Sequence, residues 1–170
     1  SITWGNVYLD YDLDRIHSCK TKDIFESNEK LFFRRVSENL IFTYDDEQYF
    51  ALNTLVAVNL ISGKNMNLKY ILGIMNSRLM NYLYKGKFKS TKKVFSEIQA
   101  RTVKQLPIAI TKDIALEKTL ISLVDQIIAG KKQGKNQEVI SALDKKIDRL
   151  VYQLYGLTPE EIAIVEEVVK

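Results

Sequence analysis

Five lysines in nine residues, Lys85-Gly-Lys-Phe-Lys-Ser-Thr-Lys-Lys93, form the densest group of chemically competent side chains in the sequence. Ammonium groups at this spacing, with the hydroxyls of Ser90 and Thr91 as added donors and Gly86 for flexibility, suit contact with successive phosphates of a polyanion. Lys85, Lys87, Lys89, Lys92 and Lys93 are the cations of that contact, and Phe88 packs beneath them. Arg34 and Arg35 are adjacent in a β-prone run, so their side chains point to opposite faces. One of them can reach outward as a bidentate reader of guanine, while the other pairs with an acid such as Glu38 or Glu47. Gln99 and Arg101 lie just beyond the lysine run and add polar and cationic reach, and Lys64, Lys69 and Arg78 extend the positive surface.

Bond-making chemistry has no comparable group of residues. The sequence has no glycine-rich phosphate loop, no dinucleotide fingerprint and no Asn/Asp-Pro-Pro-aromatic loop of the kind that holds a flipped adenine. Asp45-Asp-Glu47 lacks the lysine that a metal-dependent nuclease sets beside its carboxylates, and reads as a turn that solvates a hairpin. His17 and Cys19 are the only residues of their types, too few for a zinc site. His17 reads as an exposed loop residue, and Cys19 as a spectator thiol suited to a reducing, cytoplasmic setting. No catalytic residue, metal site or cofactor site is expected in this chain.

The charge is distributed to match. The net charge is +4, yet residues 48–110 carry ten basic side chains against Glu97 alone, a local charge of +9. Residues 111–170 carry nine basic and ten acidic side chains. Cations gathered into one stretch are the footprint of a nucleic-acid contact. An apolar content of 46% with two prolines and seven glycines excludes disorder. No run of eighteen apolar residues and no signal peptide is present, so no membrane association is expected. A chain that begins at Ser1 reads as a piece of a longer polypeptide.

The elements that must position these residues follow from periodicity. Trp4–Tyr11, Leu31–Val36, Leu40–Tyr44 and Tyr49–Val58 are β-prone, with turns at Ser37-Glu-Asn39, Asp45-Asp-Glu47 and Ile61-Ser-Gly-Lys-Asn65, and Asp23–Lys30 is a polar turn or short helix. Asn67–Tyr84 repeats Leu68, Ile71, Leu72, Met75, Leu79, Tyr82 and Leu83 at helical intervals, with Asn67 as N-cap. Residues 85–93 break that period and read as a loop, and Pro107 ends the segment that follows. Asp113–Ala129 reads as a helix capped by Gly130, and Gln137–Tyr155 as a second, ending at Gly156, the two forming an antiparallel hairpin. Thr158-Pro-Glu-Glu161 has the signature of a capped helix start. The fold class is therefore α+β: a β-rich lobe with an amphipathic helix over residues 1–110, then a helical lobe over 111–170 made of a hairpin and a short terminal helix, packed on the first.

Four stretches in this order carry a family resemblance: Lys30-Leu-Phe-Phe-Arg-Arg-Val36, Leu40-Ile-Phe-Thr-Tyr-Asp45, Ile71-Leu-Gly-Ile-Met-Asn-Ser-Arg-Leu-Met-Asn-Tyr82 and Lys104-Gln-Leu-Pro-Ile108. They resemble the TaqI-like C-terminal specificity domain of bacterial adenine-specific DNA methyltransferases, including fused restriction-modification enzymes. Asp144–Ile162 looks like the helical tail of many such enzymes. The resemblance implies a target-recognition module that reads double-stranded DNA. It also implies an upstream methyltransferase domain, absent here, that binds S-adenosylmethionine and transfers the methyl group. An alternative reading takes the helices at 113–155 as an assembly device, comparable to the spacer helices of type I specificity subunits.

Overall fold

The computed structural model describes residues 10–17, 20–61, 66–88 and 97–169. The strand expected at Trp4–Tyr11 falls mostly outside those residues, as do Cys19, Lys64 and the 89–93 part of the lysine run. α1 (Asp23–Glu26) precedes three strands, β1 (Lys30–Arg34), β2 (Phe42–Asp45) and β3 (Leu55–Val58), which form an antiparallel sheet in the order β2-β1-β3. The register sets Phe32 opposite Thr43 on one side and Ala57 on the other. Of the apolar run 49–58, only its last four residues are strand.

As the central strand, β1 is buried on both faces. Leu31 and Phe33 point into the main core. Phe32 and Lys30 face the other side, where the Phe25 and Phe50 rings stack at 5.0 Å and Tyr11 meets Phe50 edge-on at 5.2 Å. Lys30 and Asp45, cross-strand partners, form an ion pair of 2.5 Å with both side chains fully buried. Lys30 Nζ also donates to the Phe25 carbonyl at 2.6 Å, and the Asp45 carboxylate accepts the Glu47 and Tyr49 amides at 3.0 Å each. The expectation for the Asp45 turn is corrected here. Its first carboxylate does not solvate the hairpin but serves as the counter-charge of a buried lysine.

The helix expected over Asn67–Tyr84 is two helices, α2 (Leu68–Asn76) and α3 (Arg78–Phe88). Asn67 caps α2 as expected, its Oδ1 accepting the Lys69 and Tyr70 amides. The break falls at Ser77, where ψ is 156°. Short polar side chains compete with the backbone for its own hydrogen bonds. Here the Ser77 hydroxyl donates to the Ile74 carbonyl and accepts the Met80 amide, closing one helix and opening the next. Both helices stay apolar enough to be buried. α2 lies between the sheet and α5 (Ile114–Lys132), and a side chain at Gly73 would meet Leu120 Cδ2 at 2.5 Å.

The break releases Asn76 for a second task. Its side-chain amide accepts the Phe42 N–H at 2.8 Å and donates to the Phe42 carbonyl at 3.0 Å, standing in for a missing neighbour on the open edge of β2. Asn81 accepts the Leu40 N–H at 2.7 Å in the same way. An unpaired buried backbone group costs about 1–3 kcal/mol. Asn76→Ala should therefore destabilise the fold by about 2 kcal/mol, measured by urea denaturation; a midpoint equal to wild type would mean that water replaces the amide.

After α4 (Ala100–Val103), the chain passes through Pro107 into α5, α6 (Gln137–Tyr155) and α7 (Pro159–Val168). α5 does not end at Gly130, as periodicity implied, but runs through it to Lys132. The left-handed residue is Gly134, whose N–H reaches the Lys131 carbonyl while Lys135 N–H reaches that of Gly130. Gly130 instead makes room for Ile140, whose Cδ1 would lie 2.9 Å from an added Cβ. Gly156 and the Thr158–Glu161 capping box stand where expected. One hydrophobic cluster joins Leu120, Val124, Ile147 and Val151 of the helical part to Leu31, Phe42, Ile74 and Met80. Most of the apolar face of α5 and of α6 is thus spent inside the chain, with Ile114 and Val139 left exposed.

The Leu106-Pro-Ile108 exit is held by two tyrosines. Tyr155 Oη donates to the Pro107 carbonyl at 2.7 Å and accepts the Ala109 N–H at 3.1 Å, and Tyr70 Oη donates to the Ala109 carbonyl at 2.9 Å. Burial, with Tyr155 and Glu117 close by, pushes Tyr70 from its ordinary value near 10 up to about 12. Burial raises Tyr155 as well. A group whose folded pKa is raised contributes stability that is present below the unfolded pKa and lost as pH climbs through the folded one. Stability should accordingly hold up to about pH 10 and fall between pH 10 and 12. Tyr70→Phe should cost about 1 kcal/mol at neutral pH and flatten that alkaline loss, read from urea midpoints along a pH series.

Candidate nucleic-acid interface

The structure sorts the expected cations by what they meet. Lys69 is taken by Asp125 of α5 at 2.6 Å, with its Nζ 5.0 Å over the Tyr44 ring. Arg78 is taken by Asp148 of α6, which accepts the Arg78 backbone N–H at 2.8 Å and pairs with its guanidinium at 3.5 Å. Burial pushes the Asp148 carboxyl up, and the two bonds from Arg78 oppose that shift. These two cations fasten the helices to the sheet lobe and offer little to an outside anion.

Lys85, Lys87, Arg101 and Lys104 have no acid partner among the described residues. Lys85 and Lys87 do not lie in a loop, contrary to the expectation for 85–93. They stand on the last turn of α3, which Tyr84 and Phe88 anchor by a ring contact of 6.0 Å. Tyr84 is buried and Phe88 half-buried, so apolar contact extends the helix through the first lysines. Phe88 packs under the cations as expected, and Lys87 Nζ lies 5.3 Å over its ring. Lys89, Ser90, Lys92 and Lys93 lie outside the described residues. Arg101 is exposed on α4 and Lys104 follows it as the C-cap. Gln99, half-buried, is the α4 N-cap, its carbonyl accepting from Thr102 and Val103.

The arginine pair divides. Arg34 is exposed at the end of β1 and meets no acid among the described residues. Arg35 pairs with Glu97, Nε to Oε1 at 2.6 Å, and not with Glu38 or Glu47. Glu47 is engaged by the Tyr49 hydroxyl and by Lys132 of α5, contacts that hold its carboxyl below the usual range.

A groove of about 770 Å³ runs between the β1–β2 hairpin and α5–α6, with Arg34 among its lining residues. Its walls carry Lys131, Lys132 and Lys145 but also Asp46, Glu47 and Asp144, so its field is mixed. It is not a cationic channel. Among the described residues no group of three or more His, Cys, Asp or Glu could hold a metal ion, and no helix is long and apolar enough to cross a membrane. His17 is exposed, as expected.

Sequence reasoning overlooked three things here. Asn76 and Asn81 were part of a motif with no assigned task; two carboxamides on an otherwise apolar helix were the available signal. The charge pattern marks Glu97 as the lone acid of the cationic stretch but gives it no partner, and it includes Lys104 among the cations without placing it in the contact.

Residues 1–108 match the TaqI-like C-terminal specificity domain family. The chain is also 28% identical over 165 residues to a protein of Methanocaldococcus jannaschii named "Putative type II restriction enzyme and methyltransferase". That alignment takes in 91% of this chain, including the helical part, and 13% of the relative. The chain thus spans about one eighth of the length of the curated relative it matches.

Proposed function

This chain belongs to the family of TaqI-like C-terminal specificity domains, and from that premise we propose that it grips duplex DNA and selects the target site for a restriction-modification enzyme. The observation that carries the reading is the set of cations left unpaired after folding. Lys85 and Lys87 at the end of α3 and Arg101 and Lys104 on and after α4 have no acid partner among the described residues, whereas Lys69 and Arg78 are neutralised by Asp125 and Asp148. Lysines and arginines that hold phosphates fix register, and side chains on a rigid strand read base edges. Lys89, Ser90, Lys92 and Lys93 continue the lysine run and belong to the same contact in this reading.

The methyl transfer belongs to another part of the parent protein, where S-adenosylmethionine is bound and a target adenine leaves the stack to reach it. This chain supplies grip and choice of site. The relative's name, a restriction enzyme and methyltransferase together, supports a parent in which both activities share one polypeptide. The inward packing of α5 and α6 weighs against the assembly-module alternative, because most of the apolar surface that would pair with another subunit is already covered.

The test is a titration of the folded chain with a labelled 25-base-pair duplex at a series of salt concentrations. Lys85, Lys87, Arg101 and Lys104 alone give a slope of log affinity against log salt of about −3 to −4, and Lys89, Lys92 and Lys93 steepen it toward about −6. Binding that ignores salt, or no binding by a chain shown folded by circular dichroism, would end the proposal.

A further inference from the structure

We infer that the two adjacent arginines have separate tasks: Arg34 is the specificity-determining residue, and Arg35 is a positioning residue that fastens the 97–104 segment to the end of the recognition strand. The inference rests on the DNA reading above and goes past it, since neither the family match nor the relative assigns a role to any residue.

The hydrogen bonds of Arg35 go to fastening. Its backbone N–H donates to the Thr54 carbonyl at 3.0 Å, and its carbonyl accepts the Ile98 N–H at 2.7 Å. Its guanidinium takes Glu97 at 2.6 Å and reaches the Asn53 carbonyl at 3.5 Å. Val36 and Glu97 form an antiparallel bridge beside these bonds, and Ile98 is buried. The segment so fixed continues through Gln99, Arg101 and Lys104. Glu97 is the single acid of residues 48–110, and its charge is spent on Arg35, where it cannot repel a phosphate.

Arg34 is built the opposite way. Its backbone is held on both sides, by the Ile41 carbonyl at 3.2 Å and by its place opposite Leu55 on β3. Its side chain is exposed and has no acid partner among the described residues. A planar fork of donors on a fixed strand end is the arrangement that reads the O6 and N7 edge of guanine, and lysine cannot reproduce it. At position 35, by contrast, any cation long enough to meet Glu97 will serve.

The experiment uses the 170-residue chain in six forms: wild type, Arg34→Ala, Arg34→Lys, Arg35→Ala, Arg35→Lys, and the charge swap Arg35→Glu with Glu97→Arg. Each is titrated against a pool of duplexes with randomised base pairs, giving affinity and base preference separately, with thermal melting as the control for folding. Both Arg34 variants should lose about tenfold on the preferred duplex and flatten the preference. Arg35→Ala should weaken all duplexes alike, about fivefold, while Arg35→Lys and the charge swap return to within about twofold of wild type with the preference intact. If the charge swap or Arg35→Lys binds no better than Arg35→Ala, or if Arg34→Ala keeps the preference, the assignment is overturned. A wild-type chain that binds no duplex overturns the DNA reading and this assignment together; a wild-type chain that binds while the swap does not overturns the assignment alone.

Discussion

Replacing Asp45 by alanine is expected to remove about 3–5 kcal/mol of stability, the usual cost of leaving one member of a buried ion pair alone. Lys30 and Asp45 are both fully buried, and the carboxylate serves three donors at once: the Lys30 ammonium and the amides of Glu47 and Tyr49. Truncation leaves an ammonium sealed beneath Phe32 and the Phe25 carbonyl, together with two amides that have lost their acceptor. A domain of this size is stable by about 5–15 kcal/mol, so one substitution takes a large share. Lys30→Met should cost less than Asp45→Ala, because the carboxylate keeps its two backbone donors. A double variant, Lys30→Met with Asp45→Asn, should recover only part of the loss: no charge remains buried and the amide oxygen still accepts one of the two turn N–H groups, while the amide nitrogen cannot accept the other. Urea midpoints of the four proteins decide it. Single variants that lose less than about 1 kcal/mol would show that water reaches the pair.

The second large effect concerns binding. Converting Lys85, Lys87, Arg101 and Lys104 together to glutamine should lower duplex affinity at physiological salt by about a hundredfold or more and reduce the steepness of the log–log salt slope by about 3 to 4. The fold should hardly notice, because none of the four has an ion-pair partner among the described residues to lose. The control pair is Lys69→Gln with Arg78→Gln. These cations come from the same basic stretch, yet they face Asp125 and Asp148. Their loss should destabilise the dock between the lobes and leave the salt slope nearly unchanged. Equal effects of the two sets on the slope would mean that total charge, and not its folded placement, governs binding.

What the sequence carried by itself was local. The extent of α6, its end at Gly156, the capping box at Thr158 and the Asn67 cap were all legible, because periodicity and capping act within a turn or two of helix. The two β-prone runs at 31–36 and 40–44 and the turn between them were legible for the same reason, while the antiparallel order of the sheet came from the structure. Local signals also misled where two solutions were locally equivalent. Gly130 and Gly134 could each end α5, and the choice fell to Ile140, which needs the space at Gly130. Asn67–Tyr84 had one unbroken period, yet Ser77 breaks it because Asn76 is needed at the edge of β2, thirty-four residues away.

The charge of the basic stretch was likewise determined by the sequence, and the order of its motifs pointed to the family. Which of those cations remain available was decided only by tertiary structure. Arg35 finds Glu97 at a separation of 62 residues, Lys69 finds Asp125 at 56, and Arg78 finds Asp148 at 70. A charge count adds side chains along the chain, whereas an electric field adds them in space, and folding brings opposite charges within a few ångströms that no window along the sequence contains.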